Sequence, residues 1–278
     1  MRTIVHLSDL HFGRVQEGIV EALSRAVHEI QPDLIAVSGD LTQRARREQF
    51  EQARDFLRTL PDPKIIVPGN HDVPLYNIFN RFTRPLKRYK RYISEELEPF
   101  YRDNEIAAQG LNTARSLTFT RGRVNERQIG VLQQRLAPLK NVTKVVITHH
   151  PFDLPEQYPD QALVGRARMA LRQLANSGID LFLAGHLHVG IMEKMTLRFQ
   201  IAGHSALVVQ AGTATSSRTR GETNSFNVIR VRPRTIIIER FDCVAADRAF
   251  RLLTTATFEH TETGWMRKQD AGTSASLV

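Results

Sequence analysis

Five short polar sequences concentrate the residues of this chain that could do chemistry. They are Asp9-Leu10-His11, Gly39-Asp40, Gly69-Asn70-His71-Asp72, Thr148-His149-His150-Pro151 and Gly185-His186-Leu187-His188. Each supplies imidazole nitrogens, carboxylate oxygens or an amide oxygen, groups that ligate metal ions or move protons. Asp9 and His11, like His186 and His188, are two residues apart, so in an extended segment both side chains lie on one side and each pair could hold one centre. Asp40 has two carboxylate oxygens with which to bridge two ions. Asn70 offers a neutral carbonyl oxygen, which limits negative charge at a site that is to receive an anion. Such a mixed nitrogen and oxygen set suits two ions of the Mn, Fe or Zn kind better than calcium. Alone, the block ending at Asp72 reads equally well as a turn closed by Asn and Asp. Five blocks together argue for a site.

The elements that must position these residues can be read from periodicity. Residues 3–7, 34–37 and 65–67 are apolar, β-branched runs. Between them, 15–30 carries Ile19, Leu23, Ala26, Val27 and Ile30 on one helical face, and 46–60 reads as a second helix ended by Pro61 and Pro63. Strand, helix, strand, helix, strand at this spacing predicts βαβ units and a parallel sheet. Further on, the pattern predicts helices over 86–101, 125–136 (capped by Asn125) and 161–176, with strands over 142–148 and 181–183. Beyond Gly190 it predicts a meander, 206–210, 226–231, 235–241 and 250–258, as antiparallel strands of a second sheet. Residues 1–260 read as one domain and 261–278, polar and rich in small residues, as a disordered tail. Each polar block directly follows an apolar strand, and the carboxyl ends of parallel strands are where ligand sites form.

The order D-x-H, G-D, G-N-H-D, H-x-P, G-H-x-H resembles the calcineurin-like metallophosphoesterases, with all five blocks in order over about two thirds of the chain. The resemblance implies an α/β fold, a four-layer α/β/β/α sandwich of two mixed sheets flanked by helices. It implies Asp9, His11, Asp40 and His188 on one metal, and Asp40, Asn70, His149 and His186 on the other. His149 is preferred to His150 because it stands first in H-x-P. His71 would be the general acid. Two ions in such a site lower the pKa of a bridging water and clamp the phosphate, and His71 would protonate the departing alkoxide. Asp72 would orient His71 or cap the next segment. His150 and His204 are candidates to support the ligands. The continuation Leu41-Thr42-Gln43-Arg44 departs from the protein-phosphatase branch, which has an aspartate there.

Among substrates, the resemblance is greatest to class III cyclic-nucleotide phosphodiesterases, implying a phosphodiester, in particular a 3′,5′-cyclic nucleotide. The segment from Ala211 to Arg218 fits that family's hydroxyl-rich loop, whose donors would meet phosphate or base, and it also reads as a polar turn. The formal net charge of +9 favours acidic partners or marks an Arg-rich surface. Arg81, Arg84, Lys87, Arg88, Lys90 and Arg91 fall together, interleaved with Phe82, Tyr89 and Tyr92. That basic run suits an anionic membrane surface or nucleic acid, and keeps open a nucleotide-linked lipid pyrophosphatase, as in the lipid A pathway, or a nuclease. A non-catalytic scaffold is a further reading, against which all seven ligand positions and His71 carry suitable residues. The single cysteine, Cys243, excludes an internal disulfide. No secretory signal or span of about 20 apolar residues is visible, so the expected location is cytoplasmic, with a peripheral membrane association open. A homodimer is one of the oligomeric states left open.

Overall fold

Aliphatic and β-branched residues make the first strand, β1 (Arg2–Leu7), which lies parallel to β2 (Leu34–Ser38) with Ile4 opposite Leu34 and Leu7 opposite Val37. The two-residue period divides their side chains. Val5, Leu7, Ile35 and Val37 pack under α1 (Ile19–Ile30) and α2 (Arg47–Thr59), whereas Ile4, Leu34 and Ala36 face a second sheet. In this computed structural model, residues 1–194, 205–217, 221–244 and 248–268 are described.

In chain order, β3 (Lys64–Val67) is followed by α3 (Ile78–Thr83), α4 (Lys87–Tyr92), β4 (Phe100–Arg102), β5 (Ile106–Gly110), α5 (Glu126–Leu136) and β6 (Thr143–Ile147). Then come α6 (Ala167–Leu174), β7 (Leu181–Ala184), β8 (Ile191–Lys194), β9 (Leu207–Gln210), β10 (Ser225–Arg232), β11 (Thr235–Val244), β12 (Ala249–Thr261) and β13 (Gly264–Arg267). One sheet has the order β13-β12-β11-β10-β1-β2-β3 and the other β4-β5-β6-β7-β9-β8. Both mix parallel and antiparallel neighbours. Ile4, Val145, Ile147, Leu181, Leu183 and Ile229 fill the space between the sheets, and Val146 and Phe182 turn outward to α5 and α6. The result is the four-layer α/β/β/α sandwich that the resemblance implied.

The meander differs from expectation. Its strands β10 to β13 do not make the second sheet; β10 pairs antiparallel with β1 and extends the first. Only β9, covering the 206–210 run, joins the second sheet, parallel to β7. Local pattern marks a strand but carries no information on its partner. The helix expected over 86–101 stops at Tyr92, because Pro99 cannot donate to a helix and Phe100–Arg102 pairs with β5. The 161–176 helix begins only at Ala167, since Val164 and Gly165 donate to Pro151 and Gly122 across the chain. The tail expected from 261 also starts too early. Gly264–Arg267 pairs with β12, and Trp265 is buried with its indole donating to Asp180. One large apolar side chain outweighs a polar composition there; residues 269–278 lie outside the described ones.

Candidate metal centre

All five polar blocks emerge at the carboxyl ends of β1, β2, β3, β6 and β7, which both sheets present at one edge of the sandwich. The backbone there is unusual. Asp9, His11, Asp40, His186 and His188 all have left-handed φ, between 49° and 75°. Non-glycine residues occupy that region at a cost of about 1–3 kcal/mol each, and such residues gather at functional sites. The β1 loop is held in this form from behind by the 211–217 loop. Thr213 Oγ1 donates to the Asp9 carbonyl at 2.6 Å, Thr215 Oγ1 to that of Leu10 at 2.5 Å, and Ala214 N to that of Ser8 at 3.0 Å. The Thr213 and Thr215 hydroxyls, expected to meet phosphate or base, are therefore spent on the backbone; both residues and Ser216 are fully buried. Arg218 and His204 lie outside the described residues.

Gly39 lets the end of β2 turn, with φ 89°, and a Cβ there would also meet His149 Nδ1 at 2.8 Å. Gly69 is extended, and its lack of a side chain instead leaves room for the Asp40 carboxylate.

Two donor sets meet at Asp40. On one side, His11 Nε2 lies 3.7 Å from Asp40 Oδ2 and 3.5 Å from Asp9 Oδ1, and His188 Nε2 lies 3.2 Å from Asp9 Oδ1 and 3.2 Å from His11 Nε2. On the other, His149 Nε2 is 3.4 Å from Asp40 Oδ2 and 3.1 Å from Asn70 Oδ1. Donors around one ion at bonds of about 2.1 Å stand about 3.4 Å apart, so both spacings fit. Asp9 Oδ1 is buried and accepts no hydrogen bond from the described residues, although Oδ2 accepts from Ser8 Oγ and His186 N. A carboxylate oxygen surrounded by imidazole nitrogens, with no hydrogen to accept, suits a cation. His149 Nδ1 donates to the Ser38 carbonyl at 2.8 Å, which leaves Nε2, facing Asp40, as the nitrogen that would ligate a metal in place of a proton. Asp40 Oδ2 alone reaches both sets. Oδ1 accepts from the His71 backbone N–H at 2.8 Å, so of the two oxygens expected to bridge, Oδ2 is the one that stands between the donor sets.

The electrostatics agree. Burial would raise the Asp9 and Asp40 carboxyls, but the imidazoles of His188, His149 and neighbours hold both well below the usual carboxylate range. Burial pulls His149 down, yet the Asp40 carboxylate overrides it and pushes the imidazole up to about 9. His11 is lowered and His186 falls to about 4, in each case chiefly by burial. The pocket between the carboxylates thus favours positive charge.

His71, half-buried, stacks edge-on against His11 at 4.9 Å, and its Nδ1–H donates to the Gln43 carbonyl at 2.9 Å. That carbonyl fixes the ring where sequence suggested Asp72 would. Asp72 does neither job expected of it. Its carboxylate accepts from Gly69 N, Leu41 N, Thr42 N and Thr42 Oγ1, at 2.9 to 3.2 Å, tying the β2 and β3 loops together. Burial, then the nearby Asp40 carboxylate, push Asp72 up to about 6 against those bonds. His150 touches His149 and His186, but both its nitrogens are taken, Nδ1 by Thr113 Oγ1 at 2.8 Å and Nε2 by the Thr120 carbonyl at 3.0 Å. It is a strut between loops, kept neutral by burial. Ser8, Ser38 and Gln43 went unnoticed in the sequence as parts of the site. Ser38 and Gln43 act through backbone carbonyls, which leave no side-chain signature.

The family model of the calcineurin-like phosphoesterases matches residues 2–190. The chain belongs to this family. It is accordingly a metal-dependent phosphoric ester hydrolase of a family that uses a dinuclear metal centre, and the Asp and His groups above could hold metal. The glycerophosphodiester phosphodiesterase GpdQ of Enterobacter lignolyticus is 27% identical over 202 residues, 66% of this chain and 70% of that one. A probable cyclic nucleotide phosphodiesterase of Synechococcus is 24% identical over 205 residues, 69% and 75% of the two chains. The UDP-2,3-diacylglucosamine pyrophosphatase LpxG of Chlamydia trachomatis is 32% identical over 98 residues, 31% and 30%. Among solved structures, the purple acid phosphatase PPD1 of yellow lupin superposes with a TM-score of 0.70 at 12% identity, covering 92% of this chain and 53% of that one. That likeness concerns the fold. Among the described residues, no helix is long and apolar enough to cross a membrane.

Proposed function

We propose that this hydrolase cleaves phosphodiesters at two ions, one held by Asp9, His11, Asp40 and His188, the other by Asp40, Asn70, His149 and His186. The observation that carries the reading is Asp40 Oδ2, shared between the two donor sets at 3.7 and 3.4 Å. The mixed nitrogen and oxygen donors suit Mn, Fe or Zn. When bound, such ions would activate water for attack on phosphorus and neutralise charge on the phosphate oxygens. The chain's own part is to hold and move protons. Gln43 anchors His71 through Nδ1–H, so the proton His71 exchanges is the one on Nε2, and it would go to the leaving oxygen. Asp72 keeps the loop bearing Asn70 and His71 against the loop bearing Asp40.

The five-block pattern and the phosphodiesterase relatives support a diester substrate, with 3′,5′-cyclic nucleotides the first to try. His71→Ala is expected to keep both metals by elemental analysis. It should slow hydrolysis of an alkyl phosphodiester on the order of 10²-fold, but bis(p-nitrophenyl) phosphate far less, since an activated phenolate needs no proton. Equal losses on both substrates would remove His71 from the acid role. A second reading, a nucleotide-linked lipid as substrate, draws support from the exposed apolar side chains beside the site.

A further inference from the structure

The short helix α3 is inside out. Its arginine, Arg81, is 1% exposed, while Ile78, Phe79 and Phe82 are 67%, 75% and 51% exposed. Arg81 turns inward to bind three backbone carbonyls, those of Pro74 and Ser116 at 3.0 and 2.8 Å and of Thr118 at 3.1 Å, with its guanidinium 4.2 Å from the Phe119 ring. It therefore leaves the basic run anticipated from sequence, and it locks α3 to the 116–119 loop. That loop adds Leu117 and Phe119, 81% and 57% exposed, and Tyr76, 75% exposed, precedes α3. Six large apolar side chains thus stand in water on a platform fixed from beneath. Exposed apolar residues gathered in this way mark an interaction surface.

The platform adjoins the metal centre on two sides. It begins at Tyr76, four residues after Asp72 in the chain, and Thr120, at the other end of its loop, accepts from His150. Beside it stand the exposed cations Arg84, Lys87, Lys90, Arg91 and Arg121. The first four, with Arg115 and a single carboxylate, Glu95, line a cleft of about 650 Å³ between α4 and the 112–116 segment.

We propose that this platform seats on an anionic lipid surface, the apolar side chains entering the headgroup layer and the cations meeting lipid phosphates. The adjoining centre then acts on a phosphoester carried by a lipid, a second step that rests on the hydrolase reading above. The chemistry separates this occupant from others. Base stacking would explain the aromatic rings but gives no role to Ile78 and Leu117. The core of a protein interface is depleted of lysine, whereas apolar residues bordered by Lys and Arg are the composition of a helix lying at a membrane interface.

The test is co-sedimentation of the full chain with vesicles of phosphatidylcholine, with and without phosphatidylglycerol, alongside hydrolysis of bis(p-nitrophenyl) phosphate in Mn-containing buffer. Binding is expected only when phosphatidylglycerol is present. Ile78→Ser with Phe79→Ser and Leu117→Ser should weaken it by at least about tenfold. Lys87→Glu with Arg91→Glu should weaken it by about fivefold for each cation removed. Both variants should keep their hydrolysis of the soluble ester and their melting temperature. Wild-type protein that stays in the supernatant, or a triple serine variant that binds as tightly as wild type, overturns the proposal. So does retention of a single-stranded oligonucleotide in place of vesicles. Loss of ester hydrolysis in the wild type would instead strike the hydrolase reading, leaving the vesicle result to stand by itself.

Discussion

The metal centre and the α3 platform lie a few residues apart and invert the normal distribution of polarity in opposite senses. In the centre, Asp9, His11, Asp40 and His149 are buried; on the platform, Tyr76, Phe79 and Leu117 stand in solvent. They also divide the work between backbone and side chain in opposite ways. The ligating side chains are aimed by backbone, through left-handed φ at five positions and carbonyls such as that of Ser38. On the platform a side chain, Arg81, aims the backbone. In both, a buried polar network holds an arrangement that local preference alone would not choose, as expected where function and stability conflict.

The sharpest way to break this contrast is at the shared oxygen. Asp40→Asn keeps an acceptor for the His71 N–H but removes a charge facing both donor sets. Activity on bis(p-nitrophenyl) phosphate is expected to fall by on the order of 10⁴-fold, the scale of losing one member of a catalytic set, and bound metal per chain should fall with it. Retention of both metals and of activity would mean that Asp40 is only a structural acid. On the platform, Arg81→Met removes the donors of three carbonyls. We expect a loss of about 2–3 kcal/mol in denaturant unfolding, with vesicle binding reduced because α3 and its loop lose their fixed relation. Unchanged stability would show that the platform needs no internal tie.

The smallest effect concerns pH. His6, three residues before Asp9, is fully buried with Nε2 on Ser38 Oγ at 2.9 Å, and burial pushes it down to about 3. The unfolded chain takes up a proton at this residue below about pH 6.5 and the folded chain does not until near 3. Stability should therefore fall as the pH drops through that window, by up to about 1.4 kcal/mol per pH unit from this residue. His6→Asn should flatten the dependence, read as the difference in melting temperature between pH 7 and pH 5. The same slope in both proteins would remove His6 as a cause.

Much of the site was legible because its signals are local. An apolar run of period two followed by Gly-Asp or Asp-x-His announces a strand end with ligands, whatever the strand pairs with. Arg81 was misread for the same reason. Beside Arg84 and Lys87 it looks like one more surface cation, and only Ser116 and Thr118, brought in from 35 and 37 residues away, reveal it as buried. The 211–217 hydroxyls were likewise legible as a loop but not as the brace for Asp9, whose contact spans 204 residues.

The sequence by itself determined which donors exist and that they follow strands, since residue type and periodicity are properties of short segments. The tertiary structure alone decided that Asp40 faces both sets with one oxygen, that Asp72 binds loops instead of His71, and that β10 extends the first sheet. It also decided which face of α3 meets water. Each depends on a partner far along the chain, and burial and hydrogen bonding are settled only when that partner arrives.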